Sequence, residues 1–229
     1  MTDEKLNMAR EAYEKVPMYY NLAEQKGISV SELSFEEIPV VDKSYYAQAG
    51  MSSLSSDCIA DYLAKKLIWM RTSGSTGKCS EVFWRKKDYN ASLMELWMLR
   101  KKYYGISARE KMVHFCPLEG TGKTCVESRY TLAVARESLT DGTLKQSYEK
   151  ILAYDPVWMV LQPSAAMLLC GIAEYLGRKP GSLRYIEFTG EYLEAEVVRR
   201  VRSVFGCMTA NQYGTKEVNS IAYECPAGS

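Results

Sequence analysis

From residue 67 onward, segments with strand character alternate with segments of helical character, and this alternation restricts the chain to few folds. The runs "DPVWMVLQ" (155–162) and "LRYIEFTG" (183–190) are typical of buried strands, whereas "SAAMLLCGIAEYLG" (164–177) and "EAEVVRRVRSVFG" (194–206) have helical spacing. Strands that alternate with helices build βαβ units around a largely parallel sheet. The predicted fold class is therefore α/β, a largely parallel sheet flanked by helices.

The first 66 residues have a different texture and predict a helical lead-in that packs on the core. Apolar residues recur there at helical spacing until Pro17 ends the run. Next, "LIWMRT" (67–72) predicts a buried strand and "EVFW" (81–84) a second strand. "DYNASLMELWMLRKKYYG" (88–105) predicts a helix that Asp88 caps and Gly105 ends. The predicted domains are the lead-in, 1–66, and a nucleotide-binding α/β part, 67–229.

The charge balance excludes several classes of partner. The chain carries 29 basic and 28 acidic residues, so no basic field attracts nucleic acid or an anionic membrane surface. Seven cysteines without a C-x-x-C pair, behind a charged N-terminus that lacks a signal peptide, predict a cytoplasmic protein. The apolar stretch 157–176 is interrupted by polar residues and predicts a strand plus a helix rather than a membrane span. The expected ligand is small.

A loop rich in glycine and hydroxyl groups follows the first predicted strand, in "RTSGSTGKCSEV" (71–82). Glycines let backbone N–H groups converge on phosphate oxygens, and Ser and Thr hydroxyls donate further hydrogen bonds. The alternative is an ordinary exposed turn. The position of this loop between two strands favours an anion-binding loop.

A rival loop, "PLEGTGKT" (117–124), matches the end of the P-loop pattern G-x-x-x-x-G-K-[ST]. Pro117 stands where the first glycine belongs, and proline cannot donate the backbone N–H that this position needs. No clear apolar helix follows Thr124. The sequence therefore argues against a P-loop NTPase that uses Lys123.

Three motifs, in order, resemble those of the adenylate-forming (ANL) superfamily. "TSGSTGK" (72–78) resembles its phosphate loop, "EFTGEYL" (187–193) its Gly-Glu strand end beside adenine, and "NQYGTKEV" (211–218) its Tyr-Gly-x-Thr/Ser-Glu motif. "FEEIPVVDKSYY" (35–46) and "LQPSAAMLL" (161–169) are similar to segments of the phenylacetate-CoA ligase branch. The likeness extends from about residue 35 to the end of the chain.

The resemblance implies an enzyme that activates a small carboxylic acid with ATP and Mg²⁺ and then transfers the acyl group to coenzyme A. It assigns the phosphates to the loop that contains Thr72, Ser73, Gly74, Ser75, Thr76, Gly77 and Lys78, with Thr76 and Lys78 as catalytic residues. It assigns adenine to the backbone of Gly190 and Glu191 and to the ring of Tyr213. The nucleotide-binding motif also includes Asn211, Gln212, Gly214, Thr215 and Lys216, and Glu217 is implied as the catalytic Mg²⁺ ligand.

The sequence departs from the family pattern in two places. The Pro-Lys pair that follows the phosphate loop is Cys79-Ser80 here, and whether Lys78 replaces the lysine is open. Lys216 stands where the family has Thr or Ser before the glutamate. Because of these changes a second hypothesis stays open. The chain would then be a non-catalytic nucleotide-binding or assembly module on the same fold.

The family's ribose-binding Asp, its hinge and its C-terminal domain come later in the pattern than residue 229. The resemblance therefore implies the N-terminal lobe of an adenylate-forming enzyme, whose missing partner is the C-terminal domain. Such a fragment is expected to bind nucleotide weakly and to turn over slowly or not at all. An open sheet edge is its expected route to a homo-oligomer.

Two further residues invite functional readings that the sequence does not decide. His114, the only histidine, is either a packed strand residue or a contact of the acyl pocket. Cys225 alone makes no zinc site. The acid is not identified, although Trp158 and Met159 favour an apolar or aromatic tail.

Overall fold

The computed structural model describes residues 2–72, 79–118, 122–136, 139–140 and 142–228. Backbone contacts divide the chain into two compact units, residues 1–90 and 91–229. The functional division between a lead-in of 1–66 and a nucleotide-binding part of 67–229 stays a prediction.

The first unit consists of helices followed by a β-hairpin. Its helices and strands are α1 (Thr2–Lys15), α2 (Pro17–Lys26), α3 (Lys43–Ala49), α4 (Ile59–Leu63), β1 (Ile68–Arg71) and β2 (Glu81–Trp84), with short 3-10 helices between α2 and α4. Pro17 ends α1, as predicted, and is also the first residue of α2, where its missing N–H costs nothing. Tyr13, Ala23 and Leu33 form a small buried core.

Strand β1 is half exposed, so the prediction of a buried strand at 67–72 is wrong in that respect. It pairs antiparallel with β2 alone, in a two-stranded sheet. Trp69 is 55% exposed because its side of the hairpin faces solvent, and its indole N–H donates to Glu81. An isolated hairpin has no second layer to bury both of its faces.

The second unit is the α/β part, and it confirms the predicted fold class. Its elements are the later part of α5 (Lys86–Tyr104), then β3 (Met112–Cys116), β4 (Cys125–Glu127), β5 (Thr131–Ala135), α6 (Leu144–Tyr154), β6 (Trp158–Leu161), α7 (Pro163–Leu176), β7 (Tyr185–Phe188), α8 (Ala195–Phe205), β8 (Met208–Thr215) and β9 (Asn219–Tyr223). The strand order is β4-β5-β3-β6-β7-β8-β9. The five inner strands are parallel, whereas β4 and β9 are antiparallel edges.

Helices cover both faces of this sheet. Every residue of β7 is buried, with Ile186 and Phe188 in the core shared with α6, α7 and α8, and Tyr185 in the core shared with α5. Helix α5 begins at Lys86, so Asp88 lies in its first turn and is not its cap; Gly105 ends it, as predicted, with φ of +64°.

The stretch 157–176 forms β6 and α7, which confirms the predicted strand plus helix. In the described ranges, no helix is both long enough and apolar enough to cross a membrane.

Candidate functional site

The base of the predicted phosphate loop is closed by hydrogen bonds across the β1–β2 hairpin. The Thr72 N–H donates to the Ser80 carbonyl at 2.9 Å, and the Ser80 N–H donates to Thr72 Oγ1 at 2.8 Å. The predicted phosphate ligands between them, Ser73, Gly74, Ser75, Thr76, Gly77 and Lys78, lie outside the described residues. The side chain of Ser80 takes no part in the two closing bonds.

A groove of about 440 Å³ opens in the second unit, between the start of α8 and the strands β8 and β9. Open α/β sheets bind their ligands at the carboxyl ends of parallel strands. The groove is lined by Leu193, Ala195, Val198, Asn211, Tyr213, Ala222, Tyr223, Glu224 and Gly228. Two of the residues predicted to bind the nucleotide, Asn211 and Tyr213, are therefore brought together in one groove.

Tyr213 presents its ring to solvent on one wall of the groove. The residue is 62% exposed although it lies within β8. Two hydrogen bonds with Glu224 hold the backbone of the nearby Asn211. The Asn211 N–H donates to the Glu224 carboxylate at 2.7 Å, and the Glu224 N–H donates to the Asn211 carbonyl at 2.9 Å. An exposed ring on a fixed strand can stack on a flat ligand.

Gly214 makes the tight β8–β9 hairpin possible. A Cβ at this position would lie 1.9 Å from the backbone oxygen of Asn219 and 2.5 Å from the amide of Gln212, so only glycine fits beside the bulge at Tyr213. The exposed turn 216–218 follows, and Asn219, with φ of +59°, returns the chain. Its side-chain amide donates to Ser92 on α5 at 2.6 Å.

The turn carries the predicted magnesium ligand. Glu217 is exposed, as are Thr215 and Lys216 beside it. A carboxylate suits Mg²⁺, but the described residues contain no group of three or more His, Cys, Asp or Glu that could hold a metal ion. Binding of Mg²⁺ by Glu217 stays a prediction.

Gly190 and Glu191 lie on the loop that follows β7 and do not line the groove. Gly190 adopts φ of +81°, a conformation that glycine tolerates. The Glu191 carboxylate accepts hydrogen bonds from the N–H of Ser164 at 3.0 Å and from its hydroxyl at 2.8 Å, at the start of α7. The side chain of Glu191 therefore caps α7. The predicted contact of Glu191 with adenine uses its backbone, which takes no part in these two hydrogen bonds.

Gln212 is buried and connects two strands beneath the groove. Its side-chain oxygen accepts a hydrogen bond from the Thr189 hydroxyl at 2.6 Å, and the residue is buried. This bond ties the ends of β7 and β8 together.

The loop 117–124 is followed by a strand and not by the helix that a P-loop requires. Thr124 leads directly into strand β4, whereas the Lys-Thr of a P-loop begins a helix. The Thr124 hydroxyl accepts a hydrogen bond from Lys150 at 2.9 Å, and its carbonyl accepts the Ala135 N–H. Residues 119–121 of this loop lie outside the described residues. The described part confirms the prediction that no helix follows.

His114 lies in the middle of β3, between β5 and β6. Burial lowers its pKa, and its buried Nδ1 has no hydrogen-bond partner in the structure. The imidazole is therefore neutral at physiological pH.

A buried ion pair behind the groove was not anticipated from the sequence. The guanidinium of Arg100 on α5 donates to both oxygens of Glu187 on β7, at 2.7 and 2.5 Å. The rings of Trp97 and Trp158 lie 4.6 and 5.0 Å from the guanidinium carbon. A glutamate inside the apolar run "YIEF" and an arginine on the apolar side of a helix are the sequence signs of such a pair.

Solved structures with a similar fold are acid-CoA ligases of the adenylate-forming superfamily. One is 2-hydroxyisobutyryl-CoA ligase in complex with 2-HIB-AMP and CoA, with a TM-score of 0.67 at 18% identity over 96% of this chain and 50% of that one. Another is the anthranilate CoA ligase AuaEII in complex with anthranoyl-AMP, with a TM-score of 0.52 at 16% identity over 70% of this chain and 31% of that one.

A third is the long-chain-fatty-acid-CoA ligase FadD1 from Archaeoglobus fulgidus, with a TM-score of 0.50 at 15% identity over 69% of this chain and 33% of that one. The chain thus spans about half the length of 2-hydroxyisobutyryl-CoA ligase and less of the other two. No family model and no curated protein matches the sequence. At these identities the likeness establishes the fold, which is that of the adenylate-forming ligases.

Proposed function

We propose that the chain belongs to an ATP-dependent ligase that activates a small carboxylic acid as its acyl- or aryl-adenylate and then forms the thioester with coenzyme A. The observation that carries this proposal is the groove that Asn211 and Tyr213 on β8 line together with residues of α8 and β9. The fold adds support, because the similar structures are acid-CoA ligases, one of them with an acyl-AMP and CoA bound.

In this reaction an oxygen of the carboxylate attacks the α-phosphorus of ATP, and the bond to pyrophosphate breaks. The protein must hold the triphosphate, neutralise its charge and align the acid, so positioning and electrostatics dominate. We assign the base to the groove, stacked on Tyr213, and the β- and γ-phosphates to the loop 73–78. Mg²⁺, when bound at Glu217, supplies positive charge to the phosphate oxygens.

The acyl pocket and the branch of the superfamily belong to the same proposal. We place the acid near residues 114–120 and 158–164, and we retain the phenylacetate-CoA ligase-like branch as its nearest type. The expected setting is the cytoplasm, with the C-terminal domain of such ligases as the partner that completes turnover.

A non-catalytic nucleotide-binding module is the second candidate, and one observation favours it. The two hydrogen bonds that close the hairpin use only the backbone of Ser80. Serine can therefore replace the lysine that the family has at this position without breaking either bond. Such a module binds nucleotide but releases no pyrophosphate.

Calorimetric titration of the chain with ATP and Mg²⁺ tests the shared part of both candidates. Tyr213→Ala is expected to weaken binding at least about fivefold, since stacking on an aromatic ring contributes about 1–3 kcal/mol per base. The matched control is Tyr175→Ala, which removes another exposed tyrosine, 79% exposed on α7 and outside the groove. Equal affinities of the two variants would refute the placement of the base.

Release of pyrophosphate from ATP, measured with and without a panel of aliphatic and aromatic acids, separates the two candidates. The ligase predicts acid-dependent release, slow in this chain and faster when the chain is joined to a C-terminal domain. A full-length protein that binds ATP but releases no pyrophosphate with any acid would establish the module.

A further inference from the structure

The buried carboxylate of Glu187 lies directly behind the groove and contacts one of its lining residues. It accepts hydrogen bonds from Arg100 and, on Oε2, from the hydroxyls of Tyr185 at 3.3 Å and Tyr223 at 3.2 Å. Its side chain is 1% exposed. Of the three donors, Tyr223 alone also lines the groove.

The hydroxyls of Tyr185 and Tyr223 also share a hydrogen bond with each other, so their two hydrogens are divided between that bond and the contacts with the Glu187 carboxylate. Burial, followed by the nearby charge of Glu187, raises the pKa of both phenols, so both remain protonated. Glu187 is itself held by the two hydrogen bonds from Arg100, whose guanidinium lies against the rings of Trp97 and Trp158. The carboxylate therefore has one position, and it defines where the Tyr223 hydroxyl lies.

A second set of hydrogen bonds connects α5 to Glu224 and Asn211, which line the groove. The Tyr104 hydroxyl donates to the backbone carbonyl of Glu224 at 2.8 Å, and the Glu224 carboxylate accepts the Asn211 N–H. Tyr104 also stacks on Tyr185, with 4.6 Å between ring centroids. Both connections begin on α5 and end at residues that line the groove.

We propose that Glu187, fixed by Arg100, is a positioning residue for the base: it holds Tyr223 and thereby the β9 wall at the distance from Tyr213 and Val198 that admits a purine ring. This proposal rests on the proposed function, because it takes the groove as the site of the base. It goes beyond that function in assigning base selection to residues that touch no ligand.

The test compares two single-atom deletions on the same carboxylate. Tyr223→Phe and Tyr185→Phe each remove one hydroxyl that contacts the Glu187 carboxylate, but only Tyr223 lines the groove, and Tyr185→Phe leaves the Tyr223 hydroxyl able to donate to Glu187. Affinities for ATP and for CTP are measured by calorimetry, together with the midpoint of thermal unfolding. A role in stability alone lowers the midpoint without changing the preference for purine over pyrimidine.

The expected result is that Tyr223→Phe reduces the ratio of ATP to CTP affinity about tenfold, whereas Tyr185→Phe changes it less than about twofold. Equal ratios in both variants and in the parent protein would overturn the positioning role and leave the proposed function standing, as would a parent protein without any preference for ATP. A parent protein that binds neither nucleotide would refute the proposed function and this inference with it.

Should Tyr223→Phe not fold, Arg100→Lys takes its place, because it keeps the charge but removes the fork of two hydrogen bonds that fixes Glu187. A reduced preference for ATP supports the inference, and an unchanged preference overturns it.

Discussion

Replacement of Arg100 by methionine is expected to be among the most destabilising changes in the second unit. The substitution leaves the Glu187 carboxylate, 1% exposed, without its cation, although the bonded pair of hydroxyls of Tyr185 and Tyr223 still contacts it. Removing one partner of a buried ion pair costs about 3–5 kcal/mol. Because a tyrosine hydroxyl can still donate to the carboxylate, we expect the lower end, about 3 kcal/mol.

Urea unfolding, followed by the fluorescence of the two tryptophans beside the guanidinium, measures this loss as a lower midpoint with an unchanged slope. In a thermal scan the same loss corresponds to about 6–12 °C for a domain of 150–250 residues. The matched control is Arg178→Met, which breaks the exposed pair with Glu149 and is expected to cost less than about 1 kcal/mol.

The double variant Arg100→Met/Glu187→Gln is the sharper test of the mechanism. It removes the unpaired charge but keeps an oxygen that accepts from the tyrosines, so it is expected to recover about 1–2 kcal/mol relative to Arg100→Met. The reasoning fails if Arg100→Met costs no more than Arg178→Met, or if the double variant is less stable than the single one by the full cost of Glu187→Gln.

Two other variants test the site and its core. Gly214→Ala places a Cβ 1.9 Å from the Asn219 carbonyl oxygen, so we expect urea unfolding to show a loss of more than about 2 kcal/mol in the free energy of unfolding. The control Gly171→Ala, in open space on a helix, is expected to be neutral or stabilising. Equal stabilities of the two variants would contradict the hairpin geometry. Burial depresses the pKa of His114 below 6.5, so the unfolded chain binds the proton first and stability falls as the pH drops through 6.5. His114→Phe is expected to flatten the stability profile between pH 7.5 and 5.5, and an unchanged profile would exclude the histidine as its source.

The central strands and their helices could be predicted because their sequence patterns are local. β6 and β7 are largely apolar runs, and α7 and α8 have clear periodicity and end at glycines in the left-handed region. By contrast, the hairpin of β4 and β5 was not assigned from the sequence. Its strands are short, and the turn between them is formed by the backbone and hydroxyl of Ser128 bonding to Thr131, which leaves no glycine or proline as a marker.

At the groove, the sequence predicted that Asn211 and Tyr213 lie close together but not what holds them. Asn211 and Tyr213 were predicted together because they lie in one motif. Glu224, thirteen positions after Asn211, and Arg100, on a different element from Glu187, contact their partners only through the fold. No local pattern encodes a pairing between α5 and β7, so such a pair becomes visible only when the sheet is formed.

Under the proposed function, Ser80 in place of the family's lysine is expected to affect turnover more than nucleotide binding. The two closing hydrogen bonds use the backbone of Ser80 and the hydroxyl of Thr72, so the side chain at position 80 does not determine whether the base of the hairpin closes. A lysine there would act on the charge of the phosphates, and charge that develops during reaction is where electrostatic stabilisation contributes most to rate. The loss of that cation is therefore expected to lower the rate of pyrophosphate release more than the affinity for nucleotide. The Tyr213 titration therefore tests the proposed binding of nucleotide in the groove, and the release of pyrophosphate tests the proposed catalysis separately.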